Sequence, residues 1–245
     1  MSKTLTGGNR GYAEKLYLQD IILSTISKET SEQLVFKGGT ALLKFYQLDR
    51  FSEDLDFTMR QEIKFEELVD KIARDLENYG AEVAERKEDE KDSSYRARLG
   101  IQGPLYTGNR RSLNFIRIEI NRKSTASNFR NRRYNPKFRD ITSFEVLVLD
   151  REEILAEKIR ALVTRSQPRD LYDLYHLLAM GTEIDTELVK EKLEYYSLEY
   201  SREMIIKEAG KLEKNWETLE TLTYSSPPAF EESLEKLEEK LPGTD

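Results

Sequence analysis

The 245-residue sequence contains no cysteine and a single histidine. The absence of cysteine excludes disulfide bonds, thiol catalysis and zinc sites built on thiolates. With one histidine, metal sites built from several imidazole ligands are excluded as well. We therefore look for function in other side chains.

Long apolar runs are also missing, since none approaches the ~20 residues that a membrane-spanning helix needs. The first residues, MSKTLTGGNRGY, lack the basic-then-apolar pattern of a secretory signal. We therefore expect a cytoplasmic protein without a membrane partner.

The composition, 38% apolar and 35% charged, is that of a folded globular chain. The net charge of -7 is unevenly distributed, because 17 acids and 8 bases after residue 180 give -9 and leave about +2 for the rest. Residues 121–139 hold seven bases and no acid: Arg122, Lys123, Arg130, Arg132, Arg133, Lys137 and Arg139. This segment has no apolar period, so we predict an exposed loop suited to contact phosphates; a purely solvated loop is the alternative.

The spacing of apolar residues predicts an α+β fold in two lobes. We expect a first lobe over residues 1–149 with a mixed β-sheet and flanking helices, and a helical lobe over residues 150–245. The predicted strands are 33–37, 54–57, 82–87, 95–101, 113–121 and 144–150. The predicted helices are 12–28, 40–48, 65–80, 151–165, 169–180, 186–195, 201–221 and 230–240.

Two aspartates stand one residue apart in the stretch RFSEDLDF, which ends in a predicted strand. Side chains alternate along a strand, so Asp54 and Asp56 project from the same face. Two ionised carboxylates this close repel, which favours a divalent cation between them, most simply Mg²⁺. Solvated aspartates on an exposed strand edge are the alternative.

A double glycine precedes these aspartates. Gly38, Gly39 and Thr40 follow one predicted strand and open a helix, where backbone N–H groups can receive an anion. An ordinary turn with Thr40 as helix cap would have the same sequence. A phosphate-binding turn followed by a metal-binding strand is a more specific indication of a nucleotide site than either element alone.

Glu119 is the candidate for a third carboxylate in a two-metal site, where it could bind the second ion or activate a hydroxyl. It shares a face with Arg117 and Asn121 in the alternating stretch FIRIEIN, so a surface ion pair is an equal alternative.

The second lobe offers a basic and acidic set in EKIRALVTRSQPRDLYDL. Lys158 could neutralise phosphate charge in a transition state, and Asp170 and Asp173 share one helix face beside Arg169. Helix capping is the alternative explanation for Asp170.

Together these residues resemble the AbiEii/AbiGii nucleotidyltransferases, toxins within the polymerase-beta-like superfamily. The likeness covers residues 34–178 and rests on FKGGTAL with RFSEDLDF and on EKIRAL with RDLYDL. It implies a nucleotidyltransferase lobe followed by a helical lobe that completes the site. It also implies a nucleoside triphosphate substrate, Mg²⁺ and a possible cognate antitoxin protein.

The resemblance also implies roles for particular residues. Asp54 and Asp56 would hold Mg²⁺, and Lys158 and Asp170 would be catalytic. The nucleotide would contact Gly38, Gly39, Thr40, Ser52, Arg169 and Asp173.

For the acceptor, the resemblance suggests RNA, such as the 3′ end of tRNA. Arg122, Lys123, Arg130, Arg132 and Arg133 would then contact its phosphates. The alternatives are transfer to a protein or small molecule, and a module that binds nucleotide or RNA without turnover.

Overall fold

The structure is a computed structural model that describes residues 9–243. The first eight residues, in which we looked for a secretory signal, lie outside that range. Within it, no helix is both long and apolar enough to cross a membrane. The chain divides into two compact units, one of Met1–Phe45 with Phe51–Val148 and one of Tyr46–Arg50 with Leu149–Asp245.

The first unit is built on a mixed sheet, which confirms the α+β class. Within residues 9–243 the sheet has seven strands in the order β3-β4-β5-β2-β1-β7-β6. Strands β1 and β7 are parallel, as are β2 and β5, while β1 with β2 and β4 with both neighbours are antiparallel. The strands are β1 (Leu34–Lys37), β2 (Leu55–Met59), β3 (Glu82–Lys91), β4 (Ser94–Gln102), β5 (Asn114–Asn121), β6 (Phe129–Tyr134) and β7 (Phe144–Leu149).

Three helices lie on one face of this sheet: α1 (Arg10–Thr30), α2 (Gly38–Phe45) and α3 (Phe65–Asn78). Ile116, Ile118 and Ile120 of β5 point to the helices and are fully buried. The alternate residues Arg117 and Glu119 point the other way and are exposed or half-buried. We call that second side the open face of the sheet; its polar side chains follow from the period of two.

Two expectations from the sequence are wrong. The basic segment 122–139 is not a continuous loop, because it contains the edge strand β6. Its side chains are all exposed or half-buried, so no apolar alternation marks the strand. The predicted helix 201–221 is two segments, α7 (Arg202–Gly210) and a 3₁₀ segment (Glu213–Thr221), and the break falls at Gly210, a poor helix former.

The second unit is helical. Helix α4 (Arg151–Arg165) packs against α5 (Pro168–Ala179), α6 (Thr186–Glu194) and α7, and α5 also packs against α8 (Phe230–Lys240). Pro168 at the first turn of α5 lacks an N–H that a helix start would leave unpaired anyway. Leu155, Ile159 and Leu162 of α4 are fully buried in this unit.

Candidate active site

The predicted metal-binding carboxylates lie on the open face of the sheet. Asp56 of β2 is the register partner of Glu119 on β5 and of Lys37 on β1. Side chains of register partners stand on the same side of a sheet and about 5 Å apart at their Cβ atoms. The strand pairing therefore brings Asp56 and Glu119 side by side, although they are distant in the sequence.

Arginines accompany the carboxylates on this face. Asp54, just before β2, has its Oδ2 atom 3.3 Å from Nη1 of Arg117. Glu119 has its Oε1 atom 3.0 Å from Nη2 of Arg96. These pairs are partly exposed to solvent, with 37% of the Asp54 side chain accessible, so the carboxylates can still be reached by a ligand.

Gly38 lies directly against the Asp56 carboxylate. Its backbone has φ of +77°, a conformation that side-chain-bearing residues rarely adopt. A Cβ atom at this position would overlap Asp56 Oδ2 and lie 3.2 Å from both Cβ and Cγ of Asp56. Only glycine permits this approach, which sets the Asp56 carboxylate at the start of helix α2, where the helix dipole favours negative charge.

The segment that leads to Asp54 is held by hydrogen bonds from the helices. Gln19 of α1 is fully buried, and its Nε2 atom donates to the carbonyl oxygens of Ser52 and Glu53, each at 2.9 Å. Thr40 donates to the Asp54 carbonyl oxygen at 2.5 Å, and its hydroxyl oxygen lies 2.9 Å from that of Ser52. Three consecutive carbonyl groups are thus fixed by side chains.

These contacts correct the prediction for Thr40 and add Gln19 to the residues that position the site. The sequence predicts that the Thr40 hydroxyl binds the nucleotide, but it is fully buried and donates to the Asp54 backbone. Thr40 therefore acts in this structure by positioning Asp54. Gln19 was missed because its only sequence signal is a polar residue on the apolar side of a helix, which does not reveal its partners.

The carboxylates suit a divalent cation by their chemistry. Their oxygen atoms are the ligands that Mg²⁺ prefers, and Mg²⁺ is usually held by one or two carboxylates together with substrate phosphates. In the part of the chain that the structure describes, no group of three or more His, Cys, Asp or Glu side chains is arranged to hold a metal. Asp54 and Asp56 fit the two-carboxylate arrangement, and Glu119 as a metal ligand stays a prediction.

The motif residues of the second unit form a chain of ion pairs around two fully buried aspartates. Lys158 Nζ lies 2.6 Å from Asp173 Oδ2 and 3.2 Å from Asp170 Oδ1. Arg165 pairs with both oxygens of Asp170 at 2.6 and 2.8 Å. Arg50 pairs with both oxygens of Asp173 at 2.6 Å. We call these five residues the ion cluster; it carries three positive and two negative charges.

Burial and charge act in opposite directions on these aspartates. Burial raises the pKa of Asp170, but the attraction of Lys158 and the hydrogen bonds of Arg165 outweigh it and lower the pKa to about 2. For Asp173, burial likewise raises the pKa, and the attraction of Arg50 and Lys158 lowers it below its usual value. Both carboxylates are therefore charged at neutral pH, and their charges are neutralised within the cluster.

The ion cluster changes the interpretation of its members. Asp173 is fully buried and both its oxygens are paired with Arg50, as both oxygens of Asp170 are with Arg165, and Asp173 as a nucleotide contact stays a prediction. Lys158 and Asp170 stay predictions as catalytic groups, and the exposed Arg169 stays a predicted nucleotide contact. Arg50 was not predicted as a site residue. Its position in the RFSEDLD motif was the available signal, but its partner lies 123 residues away.

The structure places two of the predicted RNA-binding residues against aromatic rings. Arg122 stacks on Tyr95, with 4.5 Å from its guanidinium carbon to the ring centre, and Tyr95 in turn stacks on Phe65 of α3. Arg132 lies 5.5 Å from the ring centre of Phe45 in α2. Both therefore lie on the side of the sheet that carries the helices. Lys123, Arg130 and Arg133 are exposed, and all five remain predictions as RNA contacts.

Solved structures with this fold include nucleotidyltransferases. JHP933 from Helicobacter pylori aligns with a TM-score of 0.64 at 20% identity, covering 95% of this chain and 90% of that one. A putative nucleotidyltransferase from H. pylori gives 0.65 at 19% identity, covering 95% and 93%. MenT4, a nucleotidyltransferase toxin from Mycobacterium tuberculosis, gives 0.62 at 20% identity, covering 94% and 82%. At these identities the likeness shows the fold alone.

The family follows from the sequence itself. The family model described as nucleotidyl transferase AbiEii toxin, type IV TA system, matches residues 21–240. The chain belongs to this family, which confirms the resemblance, and it is a nucleotidyltransferase. Membership implies a nucleoside triphosphate substrate and a cognate antitoxin. A search of curated proteins gave no sequence match at a significant level.

We predict that Gly38→Ala damages the site more than an equivalent change elsewhere. Gly80 is the matched control, because it has the same φ of +77° and no atom within 4 Å of an added Cβ. Gly80→Ala should cost about 1 kcal/mol of stability from backbone strain and leave turnover unchanged. Gly38→Ala should in addition displace the Asp56 carboxylate and lower kcat. Equal losses of stability and turnover in urea unfolding and nucleotide-transfer assays would contradict the close approach.

We predict that the ion cluster makes stability sensitive to acid. The pKa of Asp170 is lower in the folded protein than the ~3.9 of an unfolded chain, so its contribution is present above pH 4 and is lost as the pH falls to about 2. The shift corresponds to about 2 kcal/mol at neutral pH. Asp170→Asn should lose at least that much and flatten the decline below pH 4, measured by urea unfolding from pH 2 to 7.

The exposed Glu217 provides a control in the same unit, and Glu217→Gln should keep the parental pH dependence. If the stability of Asp170→Asn falls below pH 4 as steeply as that of the parent, the ion cluster does not cause the acid sensitivity.

Proposed function

We propose that this nucleotidyltransferase transfers a nucleotide from a nucleoside triphosphate to RNA, with the 3′ end of tRNA as acceptor, in a Mg²⁺-dependent reaction. The observation that carries the proposal is the contact of the Asp56 carboxylate with the Gly38 backbone at the start of helix α2. It joins a carboxylate suited to a metal with a helix start suited to phosphate. Such a pairing serves a substrate that carries both polyphosphate and a bound cation.

The open face supplies the groups that this chemistry needs. Asp54 and Asp56 would hold Mg²⁺, which when bound neutralises phosphate charge and favours attack at phosphorus. The buried contacts of Gln19 and Thr40 fix the backbone before β2. They hold Asp54 in place without a rearrangement when the nucleotide binds, which keeps the site preorganised.

The reaction forms one bond and breaks one. A hydroxyl oxygen of the acceptor bonds to the α-phosphorus, and the bond from that phosphorus to the β-phosphate bridging oxygen breaks, so pyrophosphate leaves with the electron pair. We assign the hydroxyl proton to Glu119, the register partner of Asp56 on the neighbouring strand. The first-turn N–H groups of α2, beginning at Gly39, would receive phosphate oxygens.

An RNA acceptor is supported by the distribution of charge along the chain. The chain has a net charge of -7 but 17 of its acids and only 8 of its bases follow residue 180. The acidic excess therefore lies after residue 180, and the preceding residues, which include Asp54 and Asp56, carry about +2. A polyanionic acceptor suits that distribution better than a neutral small molecule.

We predict a loss of transfer when either open-face carboxylate is changed. Asp56→Asn keeps the shape beside Gly38 but removes the charge, and should lower nucleotide incorporation into tRNA about 100-fold or more. Glu119→Gln removes the proton acceptor and should lower kcat about 100-fold with little change in the KM for nucleotide. Incorporation of labelled nucleoside triphosphates into total tRNA measures both.

Asp89→Asn is the matched control. Asp89 on β3 is the register partner of Arg96 on β4, which is in turn the register partner of Glu119, and Asp89 pairs with Lys91. It should retain parental activity. Labelling by Asp56→Asn equal to the parent would remove the proposed mechanism, and label found on protein or small molecules instead of tRNA would overturn the acceptor.

A further inference from the structure

Three cations lie directly opposite one another on the open face. Lys87 of β3 is the register partner of Arg98 on β4, and Arg98 is the register partner of Arg117 on β5. We call these three residues the basic row. Like charges at opposite positions destabilise a sheet, so this arrangement costs stability unless an anion offsets it.

The basic row ends at the candidate active site. At its far end Arg117 contacts the Asp54 carboxylate at 3.3 Å. All three side chains of the row are exposed, with 52% of Arg117 accessible. Arg98 stacks on Phe115, with 4.2 Å to the ring centre, and Lys87 has no ion pair within residues 9–243.

Two further acids beside the row pair with cations outside it. Glu85 lies at the margin, but Arg110 pairs with both its oxygens, which lowers the pKa of that carboxyl. Glu119, two residues after Arg117 on β5, pairs with Arg96. Glu85 and Glu119 therefore each have an ion-pair partner outside the row, and within residues 9–243 Asp54 is the one acid that forms an ion pair with a member of the row.

We propose that the basic row binds the backbone phosphates of the RNA acceptor strand and leads its reactive end to Asp54. This rests on the proposed function, and it places the RNA contact on the open face rather than on residues 122–139. Adjacent strands are ~4.8 Å apart, so the row spans about 10 Å. A row of this length can meet successive backbone phosphates of one strand.

Contacts of this kind position a strand without reading its sequence. An RNA strand fits the row better than an acidic protein partner, because the row is one side chain wide and points at the residues that carry the chemistry.

The test replaces two of the three cations. The double variant Lys87→Gln/Arg98→Gln leaves Arg117 and its contact with Asp54 intact. Lys28→Gln/Arg74→Gln removes the same charge from exposed positions on α1 and α3, on the opposite side of the sheet. Binding of labelled unfractionated tRNA is measured by fluorescence anisotropy between 50 and 300 mM salt for both variants and the parent.

We expect the basic-row variant to bind tRNA about tenfold more weakly, with a salt slope smaller by about 1.5, because two phosphate contacts are lost. Its KM for tRNA should rise while its KM for nucleoside triphosphate stays parental. The control should keep the parental affinity and slope. Equal tRNA affinities of the two variants, or a parental tRNA affinity of the basic-row variant, would overturn the proposal. A parental tRNA affinity is also the result expected if the row binds an acidic protein instead of RNA.

The outcome is separable from that of the proposed function. If the parent binds tRNA through the row but incorporates no nucleotide into it, the transfer proposal fails and the binding surface stands. If the parent labels tRNA and the basic-row variant labels it with an unchanged KM, transfer stands and the binding surface is refuted.

Discussion

The carboxylate of Asp56 lies against the backbone of Gly38, and the rest of the candidate site follows from that approach. It requires glycine twice over, for a φ of +77° and for the space that a Cβ would occupy. The register of β1 with β2 brings the two together, because Lys37, the last residue of β1, is paired with Asp56. Strand pairing therefore converts two separate sequence motifs into one surface that can face a charged substrate.

The open face combines charges that are unfavourable by themselves. Asp56 stands beside Glu119, and Arg98 stands between Lys87 and Arg117. Each group of like charges is a cost to folding that a ligand of opposite charge would offset. A cation at the carboxylates and a polyanion along the basic row, as proposed above, would satisfy both groups. The surface thus resembles a binding site more than a solvated sheet face, and natural proteins tolerate such local costs at functional sites.

Much of the fold could be predicted from periodicity, and the reasons for the exceptions are physical. The alternation of Ile116, Ile118 and Ile120 identified β5 because one face is buried. Strand β6 was not predicted because its residues, FRNRRY, are exposed or half-buried without a regular alternation. The prediction of one helix over residues 201–221 did not take into account Gly210, the residue at which α7 ends.

For the site, the sequence showed which residue types carry the chemistry but not how they meet. Asp54, Asp56 and the glycine turn were recognisable because they lie close together in the chain. The basic row was not, since its members come from three strands and only the register aligns them. The same holds for Arg50 and Asp173, and for Thr40, whose hydroxyl was assigned to a ligand but is bonded to the Asp54 carbonyl.

The central claim is that nucleotide and metal bind where Asp56 meets Gly38. Hydrogen–deuterium exchange with a non-hydrolysable nucleoside triphosphate analogue, with and without Mg²⁺, tests it directly. Slower exchange in the first turn of α2 and in residues 52–58, seen only when analogue and Mg²⁺ are both present, is the result that the structure predicts. Protection confined to other parts of the chain, or protection of these segments that is independent of Mg²⁺, would contradict it.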